Sequence, residues 1–192
     1  MDHIHCLKYL DDCDIKKCFS IVICPDCVKS ITSINIREKI IRALGKNNVY
    51  SLRIPARTNG ISMKGWGSMG CLWIYRGERS SNINFCGLVM FVEGKTKTAN
   101  YTGDCRLSQA EDVYKQMKAN KNGQKMHVLI SPHHGGEHGV VHRHYVEPCN
   151  DIAISVSNNN TYGHPQKDMV KYLRTLGNVV MTSYSGDIIF KI

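Results

Sequence analysis

Short apolar runs separated by polar and glycine-rich stretches set the pattern of this chain. "FSIVIC" (19–24) is a compact apolar run and predicts a buried strand. "IREKIIRAL" (36–44) carries helical periodicity and stops before Gly45. "VYSLRI" (49–54) predicts a second strand. "PARTNGISMKGWGSMG" (55–70) reads as a glycine-rich, flexible loop. Strands are predicted at "CLWIYRG" (71–77) and "CGLVMFVEG" (86–94), with a shorter one ending in a turn at "ANYTGD" (99–104). "LSQAEDVYKQMKA" (107–119) reads as a helix with Ser108 as its N-cap. "HVLIS" (127–131) and "DIAISVS" (151–157) read as strands. "PQKDMVKYLRTLG" (165–177) reads as a helix with Pro165 in its first turn and Gly177 as its stop. "NVVMTSY" and "GDIIFKI" predict a closing hairpin. From residue 98 onward, strands and helices alternate, which predicts an α/β layered domain.

Composition changes the picture only in part. A length of 192 residues with 42% apolar content suits one domain, 1–192, with a sizeable core. No run approaches the roughly 18 apolar residues of a membrane span. The start, "MDHIHCLKYLDDCD", is too polar for a signal peptide. Nine irregularly spaced cysteines, an odd number, suit free thiols in a reducing cytoplasm. The formal charge of +9 favours a polyanionic partner such as nucleic acid, although the lysines are scattered and a merely basic surface gives the same count.

Three predicted strands end in unusual polar clusters: Thr102-Gly103-Asp104, His133-His134-Gly135-Gly136, and Asn160-Thr161-Tyr162-Gly163-His164-Pro165. Ligands in α/β folds bind beyond strand ends, where loops converge. A carboxylate with imidazoles is the ligand set of a zinc or manganese hydrolase, in which the metal lowers the pKa of bound water to about 7. Each cluster also has an ordinary reading. Asp104 suits a turn or a helix cap, His133 and His134 suit a solvent-exposed loop, and His164 suits a backbone-held position before a helix. Cys24 and Cys27 in "CPDC" have structural-zinc spacing, with Cys13, Cys18 and His5 nearby. No second such pair follows, and a thiol at a strand end is ordinary.

"YTGD", "ISPHHGG" and "ISVSNNNTYGHP…VKYLRTLGNVVMTSYSGDI", in that order, resemble the metallo-β-lactamase fold. More narrowly, they resemble the branch found as the soluble domain of the competence DNA-uptake protein ComEC. The resemblance spans about residues 84–192. It implies an αββα sandwich with a metal site at its edge, holding one or two Zn²⁺ or Mn²⁺ ions. It implies that Asp104 bridges metals, that His133 or His134 ligates one, and that His164 lines the site and orients the substrate or shuttles a proton.

The family's central His-x-His-x-Asp-His motif has only its tail here, Asp2-His3 followed by Ile4. Asp2 and His3 are therefore further expected metal ligands, and the chain reads as N-terminally shortened, lacking the fold's first strands. "SNINFCG" (81–87) carries asparagines where many relatives have histidine, as the DNA-uptake branch also does. The resemblance implies a cytoplasmic metal-dependent hydrolase acting on a phosphodiester or other anionic substrate, impaired by the missing histidines. The alternative is a non-catalytic remnant that binds nucleic acid, or a protein at an uncovered sheet edge.

Overall fold

The computed structural model describes residues 7–25, 30–52, 61–64, 71–76, 82–94, 97–106, 127–136 and 149–191. The predicted helix at 107–119, Cys27, and the expected ligands Asp2 and His3 lie outside them. The chain, taken together as one domain on sequence, divides into two compact units, Met1–Arg53 and Ile54–Ile192. Both mix helix and strand, so the protein is α/β. No helix among the described residues is long and apolar enough to cross a membrane.

The first unit runs α1 (Asp12–Cys18), β1 (Val22–Pro25), α2 (Ile31–Leu44) and β2 (Val49–Leu52). The acidic "LDDCD" segment forms α1 because the Asp11 side chain accepts the Asp14 N–H at 2.7 Å, capping a helix whose first turn is itself acidic. Helix α2 begins five residues before its predicted start. The Ser30 hydroxyl accepts the Ser33 N–H at 3.1 Å and so caps that extra turn. Its buried positions, Ser33, Ile36, Ile40 and Ala43, recur at helical spacing, and the three apolar ones pack with Ile15 and Val49. Strands β1 and β2 are parallel, pairing Val22 with Val49. Strand β1 is less buried than its composition predicts. Ile21 is exposed, and Val22, Ile23 and Cys24 are half-buried, because a two-stranded sheet covers little of its own surface.

The second unit holds a seven-stranded sheet in sequential order: β3 (Ile61–Lys64), β4 (Cys71–Arg76), β5 (Leu88–Glu93), β6 (Thr98–Tyr101), β7 (Val128–Ile130), β8 (Asp151–Ile154) and β9 (Asn178–Met181). Strands β3 to β6 are antiparallel; β6 to β9 are parallel. The stretch predicted as loop over 55–70 contains β3. Its four residues are too short for a local signal and become a strand by pairing with β4. One sheet face carries Phe91, Leu129, Ile152 and Ile154, which cluster with Met169, Leu173 and Leu176 of α3 (Lys167–Leu176).

One helix boundary differs from expectation. Pro165 lies before α3, whose cap is Gln166. Helix α3 ends at Gly177 as predicted, but through close approach: a Cβ there would strike the Cys149 carbonyl, while its extended backbone is open to any residue. The predicted closing hairpin does not form among the described residues. After β9 the chain enters a single helical turn, α4 (Thr182–Ser185). The Thr182 hydroxyl accepts the Val156 N–H at 2.7 Å and donates to the Val156 carbonyl at 2.8 Å. A side chain thus satisfies the backbone groups that a longer strand would have paired.

Cys149 sits beneath α3, with its N–H donating to the Leu176 carbonyl at 2.9 Å. Burial, aided by the Asp151 carboxylate, pushes its thiol up from 9.0 to about 11. Between those values the unfolded chain loses a proton that the folded chain keeps, so this thiol's contribution to stability falls as pH rises. Cys149 is therefore expected to resist iodoacetamide in the native protein at pH 8, while exposed Cys13 and Cys18 react. Peptide mapping after timed alkylation checks this; early labelling at Cys149 would contradict it.

Candidate functional site

The parallel half of the sheet places the ends of β6, β7 and β8 along one edge. Strand β5 runs antiparallel to β6, so the turn leading into it lies at the same edge. The three polar clusters and "SNINFCG" are brought together there by topology.

The Thr102–Asp104 turn is closed by the Cys105 N–H donating to the Thr102 carbonyl at 3.1 Å. The Thr102 hydroxyl, fully buried, donates to the Ile130 carbonyl at 2.9 Å and locks this turn to the end of β7. The His133 N–H then donates to the Gly103 carbonyl at 2.9 Å, so the histidine loop is built directly on the aspartate turn.

His133 and His134 both adopt left-handed backbone, with φ of 49° and 52°. The sequence pattern suggests that the glycines take this strain, and Gly135 does follow with φ of 77°, but the two histidines precede it into the same conformation. For a non-glycine residue this costs on the order of 1–2 kcal/mol each. It persists because the neighbouring backbone holds it. Gly136 N–H donates to the His133 carbonyl at 2.7 Å, and Gln166 N–H donates to the Gly135 carbonyl at 2.9 Å. Strain maintained in this way clusters at functional sites.

The turn sends the two imidazoles apart. His134 Nδ1 lies 2.7 Å from the Ser155 carbonyl, which fixes the proton on Nδ1. Its Nε2 faces Asp104 Oδ1 at 3.8 Å, too far for a hydrogen bond. An imidazole nitrogen and a carboxylate oxygen facing one another are donor types that a divalent cation takes. Zinc binds nitrogen and oxygen at about 2.0–2.2 Å, so one ion can span this gap. The His134 side chain is 40% exposed and that of Asp104 18%, while the facing Asp104 Oδ1 atom is itself buried.

His133 is engaged differently. Its Nε2 accepts from the Asn84 carboxamide Nδ2 at 2.9 Å. Its ring meets the His164 ring edge-on, with centroids 5.0 Å apart. Asn84 is presented by the short 3-10 turn Ile83–Cys86, where the Asn82 side chain accepts the Asn84 N–H at 3.1 Å. The Arg106 guanidinium sits 3.8 Å from the centre of the Phe85 ring, tying this turn to the segment after Asp104.

His164 is held by Asn160. The Asn160 Oδ1 accepts the His164 N–H at 3.0 Å, while its Nδ2 donates to the His164 carbonyl at 2.6 Å and the Ser157 carbonyl at 2.8 Å. Tyr162 stacks near the His164 ring at 6.3 Å. Asn84 and Asn160 are the residues that reading for titratable groups passes over. Their signal was position: one within "SNINFCG" just before a predicted strand, and one opening the segment that ends in His164-Pro165.

The structure thus groups Asp104 with His134, and His133 with His164 and Asn84. Among the described residues, no set of three or more His, Cys, Asp and Glu is placed to hold a metal ion. Cys24 of the "CPDC" segment points its thiol at the Tyr50 carbonyl, 3.5 Å away, and packs in the first unit's apolar cluster. No protein-family model, curated protein or solved structure matches the chain.

Proposed function

We propose that this protein is a metal-dependent hydrolase of metallo-β-lactamase type, with an αββα architecture, acting on a phosphodiester or another anionic substrate. The observation that carries the reading is the Asp104–His134 pair. Its Oδ1 and Nε2 atoms face one another 3.8 Å apart on a strained loop, beside a second imidazole pair. His134, oriented by the Ser155 carbonyl, and Asp104 would hold Zn²⁺ or Mn²⁺. The metal, when bound, supplies Lewis acidity. His164, fixed by Asn160 at both its backbone groups, orients the substrate or carries a proton, and His133 is kept beside it by Asn84. The cytoplasm is the compartment that suits its free thiols.

The test is metal content by elemental analysis, read with turnover of bis(p-nitrophenyl) phosphate in Zn²⁺ or Mn²⁺. Metal-dependent turnover above background is expected, and loss of turnover on chelation. Only two facing donors stand close among the described residues, which favours a second reading: a non-catalytic remnant that binds nucleic acid or protein. No retained metal and no turnover would favour that reading instead.

A further inference from the structure

His164 and α3 both border a cleft of about 530 Å³. Such a volume is ordinary for a ligand site. Three cations line one wall: Lys167, Lys171 and Arg174. Their spacing, i, i+4 and i+7, puts them on one stripe of the helix. The opposite stripe is buried through Met169 and Leu173, so the cationic stripe is set by the same periodicity that docks α3 on the sheet. Asn158, Ser183 and Tyr184 also line it, and Asn158 Nδ2 donates to the Ser183 carbonyl at 2.9 Å. His164 and Asn160 close the end nearest the candidate site.

Charge separates this cleft from a merely basic surface. None of the described lining residues is acidic. Asp168, the acid nearest in sequence, follows Lys167 by one residue and so turns away by about 100°. Among the described residues, none of the three cations has a hydrogen-bond or ion-pair partner, and all three are exposed. The stripe runs about 10 Å along the helix. A nucleic-acid strand carries a charge about every 3.4 Å of duplex axis, so such a stripe meets more than one phosphate. Two tyrosines stand exposed at this end of the unit, Tyr184 at 84% and Tyr162 at 69%. Exposed aromatics beside a cationic track are what stacks unpaired bases.

We propose that this cleft binds the phosphates of a multiply phosphorylated ligand and delivers it past His164 to the candidate site. The exposed tyrosines favour a single-stranded nucleic acid as the source of those phosphates over a free oligophosphate. The inference rests on the proposed hydrolase function only for what happens to the ligand afterwards. Binding is therefore measured in EDTA, apart from any hydrolysis.

The experiment is fluorescence anisotropy of a labelled 12-mer oligothymidylate on the full chain, with inorganic tripolyphosphate as competitor. The triple variant Lys167→Glu/Lys171→Glu/Arg174→Glu should weaken binding at least about 100-fold. Three lost phosphate contacts should also flatten the dependence of log K on log salt by about 2. Lys16→Glu/Lys17→Glu on α1 should change binding less than threefold. All substituted residues are exposed, and a thermal melt confirms that each variant folds; single Arg174→Glu, with a smaller loss, serves if the triple does not. If Tyr184→Ala weakens the oligonucleotide but not tripolyphosphate, the ligand is a strand. Equal effects on both assign a free oligophosphate. A wild type that binds neither probe, or a triple variant that binds like wild type, overturns the proposal. Binding without any metal-dependent turnover would sink the hydrolase reading alone.

Discussion

Under the proposed function, His134→Ala is expected to lower metal-dependent phosphodiester hydrolysis by at least about 10²-fold, and to lower it more than His133→Ala does. Substituting residues that merely orient a metal ligand costs roughly 10–100-fold in affinity or activity, so removing a ligand should exceed that range. The two histidines are adjacent and chemically identical, and only their surroundings separate them. His134 Nε2 faces the Asp104 carboxylate, with Nδ1 committed to the Ser155 carbonyl. His133 Nε2 is already occupied by the Asn84 carboxamide. Asp104→Ala should match His134→Ala in both turnover and metal affinity, since each removes one side of the same gap. Measuring kcat/KM and metal affinity for the three variants decides the assignment. A larger loss in His133→Ala, with metal retained in His134→Ala, would reverse the roles of the two residues.

Gly136→Ala should destabilise the protein by about 1–3 kcal/mol and impair hydrolysis, although it adds a single methyl group. The backbone at Gly136 has φ of −77° and ψ of 162°, which any residue adopts, so conformational strain is not the cause. Space is. A Cβ at this position would strike His133 Nδ1 and His164 Cε1 together, with the His133 carbonyl oxygen only 3.0 Å away. The imidazoles cannot retreat without cost, because one is bound to Asn84 and the other lies on a loop clamped by Asn160. The methyl therefore either drives the two rings apart or is accommodated by moving the strained loop. For a chain of this length about 1 kcal/mol shifts Tm by roughly 2–4 °C. Calorimetry and the hydrolysis assay on one preparation test both halves. An unchanged Tm with unchanged turnover would show that the loop is looser than its contacts imply.

Much of the fold was legible because it follows from local periodicity. Helix α3 has apolar positions at helical spacing, and the strands at 71–76, 88–93 and 128–130 are short apolar runs bounded by turn residues. What failed was decided by partners outside the element itself. Strand β3 exists through its pairing with β4, and the closing hairpin is replaced by the Thr182 hydroxyl bonding to Val156. Those bonds leave no periodic trace.

The site divides along the same line. By itself the sequence determined that polar clusters ending in Asp104, His133-His134 and His164 follow apolar strands, because strand and turn signals are local. It also determined the cationic spacing of Lys167, Lys171 and Arg174, which any helix turns into a stripe. Only the tertiary structure decided which groups meet. Parallel pairing of β6, β7 and β8 sets the three loops at one edge. Hydrogen bonds from His133 to Gly103 and from Gln166 to Gly135 hold the loop in a left-handed turn, and that turn points one histidine at Asp104 and the other at His164. The local preference of these residues alone runs against that conformation, so its direction depends on the packed neighbours that maintain it.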